Sequence, residues 1–232
     1  MTTPKISMVI PVLNEAPSIV ESLSALQPLR AAGHELIVVD GGSTDDSIAL
    51  SQPYSDRVIR SLRGRSRQMN AGASVAGGDI FLFLHADTFL PAGADRLIIE
   101  GLKRHQKSWG RFNVRLSGKH LLLRVVGDLM NVRSRITGTA TGDQAIFVRR
   151  ELFEKVGGFP DIDLMEDIAF SKMLKRKESP LCLWQRVLTS SRRWEKNGVL
   201  RTIFFMWGLR LLYFLGSDPG RLAQQYERTR SS

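Results

Sequence analysis

Short apolar segments alternate with helix-like segments through about the first 90 residues, and this alternation limits the fold more than any other feature. Three segments have the length and the β-branched or aromatic content of buried strands: "ISMVIPVL", "ELIVVD" and "DIFLFLHAD". A shorter one, "RVIRS", lies between the second and the third. Strands separated by helices favour right-handed crossovers and parallel pairing. We therefore expect an α/β fold with a mostly parallel central sheet and helices on both faces.

The second part of the chain has a looser pattern. The segment "GRFNVRL" alternates in polarity and predicts an edge or antiparallel strand. Further on, "HLLLRVVGDLMNVRSRI" predicts a helix that is both apolar and basic, and "VLRTIFFMWGLRLLYFLG" predicts a strongly apolar helix. No internal repeat or low-complexity linker interrupts the chain, so we expect one domain.

Composition narrows the class of partner. The net charge of +10 favours phosphate-bearing ligands, an anionic membrane surface or nucleic acid. Aromatic residues are not interleaved with basic ones, and zinc-finger and helix-turn-helix patterns are missing, so we expect no nucleic acid beyond a nucleotide ligand. The sequence has no run of about 20 uncharged apolar residues for a membrane-spanning helix. A single Cys182 and an N-terminal segment without a signal-peptide pattern predict a cytoplasmic protein.

Three of the predicted strands end in polar residues, in "PVLNE", "VVDGGSTDD" and "HADT". Ligands of open α/β sheets bind beyond the carboxyl ends of the strands. Asp40 and Asp87 each follow a buried strand, where an uncompensated acid is costly, so we expect both to contact a ligand. Asp45 and Asp46 fit better as acids in the first turn of a helix. The P-loop and dinucleotide-binding glycine motifs are both missing, so a nucleotide would be bound in another manner.

The order of these motifs resembles the order in family 2 glycosyltransferases. The resemblance runs from Ile6 to Trp194 and rests on "IPVLNE", "VVDGGSTDDS", "GRSRQMNAGA", "GDIFLFLHADT", "GDQAIFVRRELFEKVGGF", "LMEDIAFSKML" and "SSRRW". It implies the GT-A fold and an inverting transfer of a sugar from a nucleotide diphosphate sugar, commonly UDP-linked, to an acceptor hydroxyl. The chain then divides into a nucleotide-binding half (about 1–90), an acceptor or catalytic half (about 91–198) and a C-terminal apolar helix and tail (about 199–232).

The resemblance also implies a set of donor-binding residues. Those similar to the family's first nucleotide-contacting loop are Pro11, Asn14 and Glu15. Asp40 is similar to the aspartate that contacts the base, where a carboxylate can accept the ring N–H. Arg65 and Arg67 occupy the place of a basic residue near the base and phosphates, and a guanidinium suits phosphate geometry.

The segment "HAD" resembles a variant of the family's D-x-D motif. Asp87 matches its last acid, which binds a divalent cation, Mn²⁺ or Mg²⁺, on the donor diphosphate. His85 occupies the place of the first acid, and imidazole suits Mn²⁺ better than Mg²⁺. Three interpretations of His85 stay open: a metal ligand, a hydrogen bond to the ribose or a phosphate, or a strand-end histidine that the backbone satisfies.

The same resemblance assigns catalysis to a different motif. Asp167 resembles the catalytic base, with Glu166 beside it as the next candidate, although two acids at a helix start also compensate the helix dipole. Asp143 either orients the acceptor or is a turn acid.

A last motif lies near the expected end of the catalytic half. Arg193 and Trp194 resemble the end of the Q-x-x-R-W motif, with the diphosphate or the acceptor as their partner. Ser190 replaces its glutamine, which argues against processive synthesis.

The two apolar helices leave the acceptor and the location open. If 120–136 and 199–216 dock on the inner membrane leaflet, the acceptor is lipid-linked; if the last helix is buried in the core, a soluble acceptor is favoured. Arg201 and Arg210 lie nine residues apart, on opposite sides of a helix.

Two other functions compete with sugar transfer. A phosphotransferase of the haloacid dehalogenase type needs a nucleophilic aspartate where His85 stands, so the sequence argues against it. A non-catalytic nucleotide-sugar-binding protein or membrane-surface adaptor is the stronger alternative, because the first acid of the metal motif is missing.

Overall fold

The computed structural model describes residues 3–118, 120–192, 195 and 198–231, with no side chains described after Tyr226. Within these ranges one sheet takes its strands in the order β3-β2-β1-β4-β7-β6-β8-β5. The strands are β1 (Ile6–Val12), β2 (Glu35–Asp40), β3 (Arg57–Arg60), β4 (Ile80–Phe83), β5 (Thr88–Phe89), β6 (Trp109–Leu116), β7 (Ile146–Arg149) and β8 (Leu181–Thr189).

Helices cover the sheet and extend beyond its end. In chain order they are α1 (Ala16–Ser24), α2 (Gln27–Ala31), α3 (Ser47–Ser51), α4 (Arg65–Val75), α5 (Ala94–Arg104), α6 (Leu121–Thr137), α7 (Arg150–Val156), α8 (Glu166–Lys175), α9 (Val199–Phe214) and α10 (Pro219–Ser231). Single 3₁₀ turns occur at Gln52–Tyr54 and Gly142–Gln144.

Parallel pairs predominate in the sheet. β1 pairs in parallel with β2 and β4, β2 with β3, and β6 with β8. The pairs β4–β7, β6–β7 and β5–β8 are antiparallel. The expectation of an α/β fold with a mostly parallel sheet is therefore confirmed. The division of the chain near residue 90 stays a prediction, although strands from both sides of that point share the sheet.

Strand β6 differs from its prediction. It is antiparallel to β7, as expected, but it lies inside the sheet because β8 pairs with its other side. Two of its polar residues, Arg111 and Asn113, are buried, whereas Arg115 is exposed. The Arg111 guanidinium donates to the carbonyls of Phe112 and Asn131 and to the side chain of Asn113. The alternating pattern that suggested an edge strand thus includes two buried polar residues, Arg111 and Asn113, which also bond to Asn131 and Trp184 on neighbouring elements.

Both faces of the sheet are packed, because neighbouring residues of β1 face opposite sides. Met8 belongs to the core under α1, α5 and α6, and Val9 belongs to the core under α4, α7 and α8. The second core contains an aromatic cluster of Phe81, Phe83, Phe153, Phe159 and Phe170. Helix α4 lies close on β1, since a Cβ at Gly72 would lie 2.3 Å from the Val9 side chain. The carboxyl ends of β1, β2 and β4 thereby meet at one edge of the sheet.

Candidate active site

A cleft of about 1070 Å³ opens at this edge. Its walls come from the loops after β1 and β4, the start of α4, the 3₁₀ turn before β7, the start of α8 and the first part of α10. The expected site residues on its walls are Pro11, Asn14, Glu15, Arg65, Arg67, His85, Asp87, Asp143 and Glu166. Asp40 and Asp167 are not among the residues that line the cleft, and Arg193 and Trp194 fall outside the described residues.

Asp40 shapes the loop that follows β2. Its side chain is buried, with the residue 1% exposed. The carboxylate accepts the N–H of Gly42 at 2.9 Å and that of Ser43 at 3.1 Å. Gly42 has φ +95°, a conformation that favours glycine. In this geometry Asp40 holds the turn, and its expected contact with the base stays a prediction.

Asn14 joins the loop after β1 to the loop after β2. Its N–H donates to Ser43 Oγ at 2.9 Å, and its Oδ1 accepts the N–H of Thr44 at 2.8 Å. The residue has φ 56°, which asparagine tolerates better than most residues. The N–H of Glu15 donates to Ser47 Oγ at 2.8 Å. These bonds fix two loops of the cleft against each other before any ligand arrives.

Gln68 is a site residue that the sequence did not single out. It lies in the first half of α4, and its amide Nε2 donates to the carbonyl of Val12 at 2.9 Å and to that of Val39 at 2.8 Å. Its side chain occupies the space beside Gly41, where a Cβ would lie only 2.9 Å away. Gln68 therefore ties the ends of β1 and β2 together at the cleft. The only signal in the sequence is a polar residue on the face of α4 that packs against the sheet.

The two expected donor arginines have different partners. Arg67 forms an ion pair with Asp161, with Nε–Oδ1 at 2.7 Å, so its charge is already compensated. Burial acts to lower the pKa of Arg65, but the acidic groups around it, led by Tyr226 and Glu166, hold that pKa above its ordinary value. Arg65 is therefore the arginine whose charge is directed at the acidic side of the cleft.

His85 pairs with Asp143 across the cleft. The distance from Nδ1 to Oδ1 is 3.5 Å. The imidazole packs so closely on Gly142 that a Cβ there would lie 2.3 Å from Nε2. Burial acts to raise the pKa of Asp143, but the hydrogen bond and charge of His85 outweigh it and hold the pKa below its usual value. Asp143 is thus ionised at neutral pH, and His85 has a carboxylate partner that lies far away in the sequence.

Glu166 and Asp167, the two acids at the start of α8, differ in their surroundings. Asp167 accepts the N–H of Gly142 through Oδ2 and that of Ile168 through Oδ1, both at 2.7 Å. Glu166 is 4% exposed and lines the cleft. Burial, and then the charge of Asp167, raise the pKa of Glu166 to about 7. A carboxyl group with a pKa near neutrality is suited to accept or donate a proton.

Asp87 is the cleft residue that the resemblance assigns to the cation, and this assignment stays a prediction. It lies in the turn between β4 and β5, and its carbonyl accepts the N–H of Ser190 at 3.2 Å. Among the described residues, no three His, Cys, Asp or Glu side chains converge into a preformed metal site. A hard cation prefers oxygen ligands, and phosphate oxygens can complete its shell. The donor set therefore fits a cation shared between Asp87 and a diphosphate.

The segment after β8 closes one wall. Arg192 donates through Nε to Ser190 Oγ at 3.0 Å and through Nη2 to Ser18 Oγ at 3.3 Å. The roles expected for Arg193 and Trp194 stay predictions, because these residues lie outside the described ranges.

Curated relatives are glycosyltransferases from bacteria. The "Undecaprenyl-phosphate 4-deoxy-4-formamido-L-arabinose transferase" of Sodalis glossinidius is 33% identical over 176 residues, 64% of this chain and 50% of that protein. The "Probable glycosyltransferase YdaM" of Bacillus subtilis is 28% identical over 71% of this chain and 45% of that protein. A "PGL/p-HBAD biosynthesis glycosyltransferase" of Mycobacterium bovis is 32% identical over 39% of this chain and 38% of that protein. The chain spans half or less of the length of these relatives.

Solved glycosyltransferases share the fold. S. aureus TarS in complex with UDP-GlcNAc superposes with a TM-score of 0.67 at 18% identity, covering 81% of this chain and 59% of that one. The mannosyltransferase PcManGT from Pyrobaculum calidifontis, in complex with GDP-Man and Mn²⁺, gives a TM-score of 0.64 at 22% identity and covers 95% of this chain and 67% of that one. The GT-A fold is therefore confirmed. The family profile "Glycosyl transferase family 2" matches residues 7–157, more than half of the sequence, and the chain belongs to this family.

Proposed function

We propose that this protein transfers a sugar, with inversion, from a UDP-sugar to an acceptor hydroxyl. The observation that carries the proposal is the cleft at the strand ends, where a carboxyl group with a pKa near 7, Glu166, shares the walls with Asp87 and Arg65. A cleft of about 1070 Å³ also has the size of a site for one nucleotide sugar.

Different parts of the donor are bound by different residues of the cleft and its loops. Asp87 would hold Mn²⁺ or Mg²⁺, and a cation bound there would stabilise negative charge on the leaving diphosphate. The bound UDP-GlcNAc of TarS and the GDP-Man and Mn²⁺ of PcManGT support this assignment. Arg65 faces the same charge from α4, since a guanidinium suits phosphate oxygens. Asp40 acts on the base through the loop that it shapes, so Asp40→Ala weakens nucleotide binding.

The acidic pair of α8 accepts the proton. The acceptor oxygen attacks the anomeric carbon on the face opposite the diphosphate, the new C–O bond forms, and the bond to the phosphate oxygen breaks. The hydroxyl proton passes to a carboxylate of the Glu166–Asp167 pair, and the electron pair leaves with the nucleoside diphosphate. Glu166 is the member on the cleft wall, while Asp167 is held by Gly142 and raises the pKa of Glu166. Asp143, which follows the Gly142 that Asp167 binds, orients the acceptor.

We further propose a lipid-linked acceptor and peripheral docking on the inner membrane leaflet. Among the described residues, no helix is both long and apolar enough to cross a membrane. Two helices nevertheless expose apolar stripes at helical spacing, and together they form what we name the docking face. Its residues are Leu121, Val125, Leu129, Val132 and Ile136 on α6, with Leu200, Phe204, Trp207, Leu211 and Phe214 on α9. An apolar face on a basic protein suits an anionic bilayer, and the undecaprenyl-phosphate relative supports this acceptor class.

The proposal is tested by incubating the protein with a panel of nucleotide sugars and Mn²⁺ or Mg²⁺. We expect release of nucleoside diphosphate that depends on the cation and is greatest with a UDP-sugar and a polyprenyl-linked acceptor. Asp87→Asn should weaken cation-dependent donor binding. Donor binding without any release, across acceptors, would instead support the non-catalytic alternative.

A further inference from the structure

A second pocket, of about 900 Å³, lies between α6, α8 and α9. Five of the described residues on its wall are cations and none is an acid; the cations are Arg133, Lys172, Lys175, Arg176 and Arg210. Like charges in one pocket repel one another unless an anion compensates them. The composition of the wall therefore indicates an anionic ligand.

Three buried nitrogens of the pocket arginines Arg133 and Arg210 lack hydrogen-bond partners in the described part of the chain. Within the described ranges, Nε and Nη2 of Arg133 and Nε of Arg210 are buried without any acceptor. Burial, and then the charge of Arg210, lower the pKa of Arg133 to about 10, so the Arg133 side chain stays charged at neutral pH. Buried donors without acceptors are costly, and native structures satisfy nearly all of them. A ligand with several acceptor oxygens would satisfy these three nitrogens.

The other cations are equally free of carboxylate partners in the described chain. Lys175 donates through Nζ to the carbonyl of Thr137 at 2.6 Å, and Lys172 lies over the Phe214 ring with Nζ 4.3 Å from its centroid. The charges of Asp167 and Asp143, two residues of the proposed active site, act on Arg133 electrostatically and favour its charged form.

The remaining wall of the pocket is apolar and continues into the docking face. Trp207, Leu211 and Phe214 are 57%, 60% and 57% exposed, and all three line the pocket. A ligand that fills the pocket therefore needs a charged head and an apolar body.

We propose that this pocket binds the phosphate head group of an anionic lipid, with the acyl or prenyl chain lying over Trp207, Leu211 and Phe214. A phosphate monoester supplies three acceptor oxygens and up to two negative charges, which suits the guanidinium groups of Arg133 and Arg210. A zwitterionic head group fits poorly, because its ammonium would meet five cations. This site goes beyond the proposed sugar transfer, and binding at it can be measured without any transfer.

The test is calorimetric titration of the full chain with dodecyl phosphate below its micelle concentration, beside dodecylphosphocholine and inorganic phosphate. We expect dodecyl phosphate to bind more tightly than either comparison compound. Arg133→Gln with Arg210→Gln should weaken its binding at least about tenfold, since the charged hydrogen bonds from both guanidinium groups are lost. The matched control is Arg124→Gln with Arg201→Gln, two exposed arginines of α6 and α9 outside the pocket, and it should change affinity less than about twofold.

A second variant, with substitutions nearer the surface of the pocket, tests the proposal even if the first variant fails to fold. Lys172→Gln with Lys175→Gln removes two pocket cations nearer the surface and should weaken dodecyl phosphate binding while leaving the fold intact. Equal losses in the pocket and control variants would mean diffuse charge attraction and overturn the proposal. Equal affinity for dodecylphosphocholine would leave only apolar docking, equal affinity for inorganic phosphate would leave a free-phosphate site, and no binding would remove the site. Nucleoside diphosphate release by the same variants reports separately on sugar transfer.

Discussion

The molecule has two regions that differ in how well their buried polar groups are satisfied. The first comprises the loops beyond β1 and β2, and the second comprises the helices α6, α8 and α9. At the loops, Asn14, together with Asp40 at the end of β2 and Gln68 on α4, bonds to backbone groups of a strand or loop. No buried side-chain donor or acceptor in these loops lacks a partner within the described chain. Around the helices, Arg133 and Arg210 keep buried nitrogens without acceptors, and apolar side chains face the solvent.

The difference indicates which region satisfies its own polar groups and which region needs an external partner. A cleft whose loops are already bonded can bind a donor without much ordering cost, because its geometry is preorganised. A helical region with unsatisfied cations beside an exposed apolar face is stabilised only when something external covers it. We therefore expect substitutions in the first region to act on donor binding and turnover, and those in the second to act on lipid and membrane binding.

The largest effect is expected at the acidic pair between the two regions. Glu166→Gln removes a group with a pKa of about 7, so turnover should fall by about 10²-fold or more while donor binding persists. In the unchanged protein the rate should rise with pH through about 7, because Glu166 accepts a proton only when it is ionised. The measurement is a pH profile of kcat, and Glu166→Gln should remove this limb.

Asp167→Asn is the matched comparison for that experiment. It should also lower turnover, because it removes a charge beside the base and weakens the bond to Gly142. Since the charge of Asp167 raises the pKa of Glu166, its loss should move the rising limb to lower pH. If the limb disappears in Asp167→Asn and persists in Glu166→Gln, Asp167 is the base.

A second test removes the side-chain hydrogen bonds that tie the ends of β1 and β2 together. Gln68→Leu leaves the carbonyls of Val12 and Val39 without their side-chain donor and should lower the free energy of unfolding by about 2 kcal/mol. Gln52→Leu, at an exposed position, is the control and should change it by less than about 0.5 kcal/mol. Urea denaturation measures both. Equal stability of the two variants would contradict the role that we give to Gln68.

A third test addresses the helical region. Flotation with phosphatidylglycerol-containing vesicles should carry the protein upward at low salt and less at high salt. Phe204→Ser and Leu129→Ser, one on each helix of the docking face, should each weaken partitioning by about tenfold. Leu62→Ser, an equally exposed apolar residue outside the face, should leave it unchanged. Failure of the unchanged protein to float at either salt concentration would favour a soluble acceptor.

Sequence reasoning was strongest for the parts that depend on local pattern. The runs that form β1, β2 and β4 were visible as buried strands, and their polar ends do line or support one cleft. Because the carboxyl ends of parallel strands share one edge, the fold class and the place of the site followed together. The sequence also predicted helices at α6 and α9 but left open whether the last one is buried in the core, and both expose apolar stripes.

What the sequence did not reveal depends on long-range pairing. His85 and Asp143 meet although they are far apart in the chain, and no local pattern connects them. The parallel pairing of β6 with β8 places polar Arg111 inside the sheet, where alternation suggested an edge. The sequence does not show whether the face of the helix that carries Gln68 is buried or exposed. Its bonds to two strand ends therefore become visible only in the folded structure.

The smallest expected effect tests whether His85 belongs to the donor site. Gly142→Ala would place a Cβ 2.3 Å from Nε2 of His85, so the imidazole must move away from Asp143. Gly208→Ala on α9 adds a methyl group in open space and is the control. If His85 contacts the donor or its cation, Gly142→Ala should weaken cation-dependent donor affinity by about threefold, which is under about 1 kcal/mol, and Gly208→Ala should not. Calorimetry with a UDP-sugar and Mn²⁺ measures the affinity, and the histidine NMR signals report whether the ring has moved. A displaced ring with unchanged affinity would make His85 a support for Asp143 only, and the cation would then depend on Asp87 alone among the described side chains of the "HAD" segment.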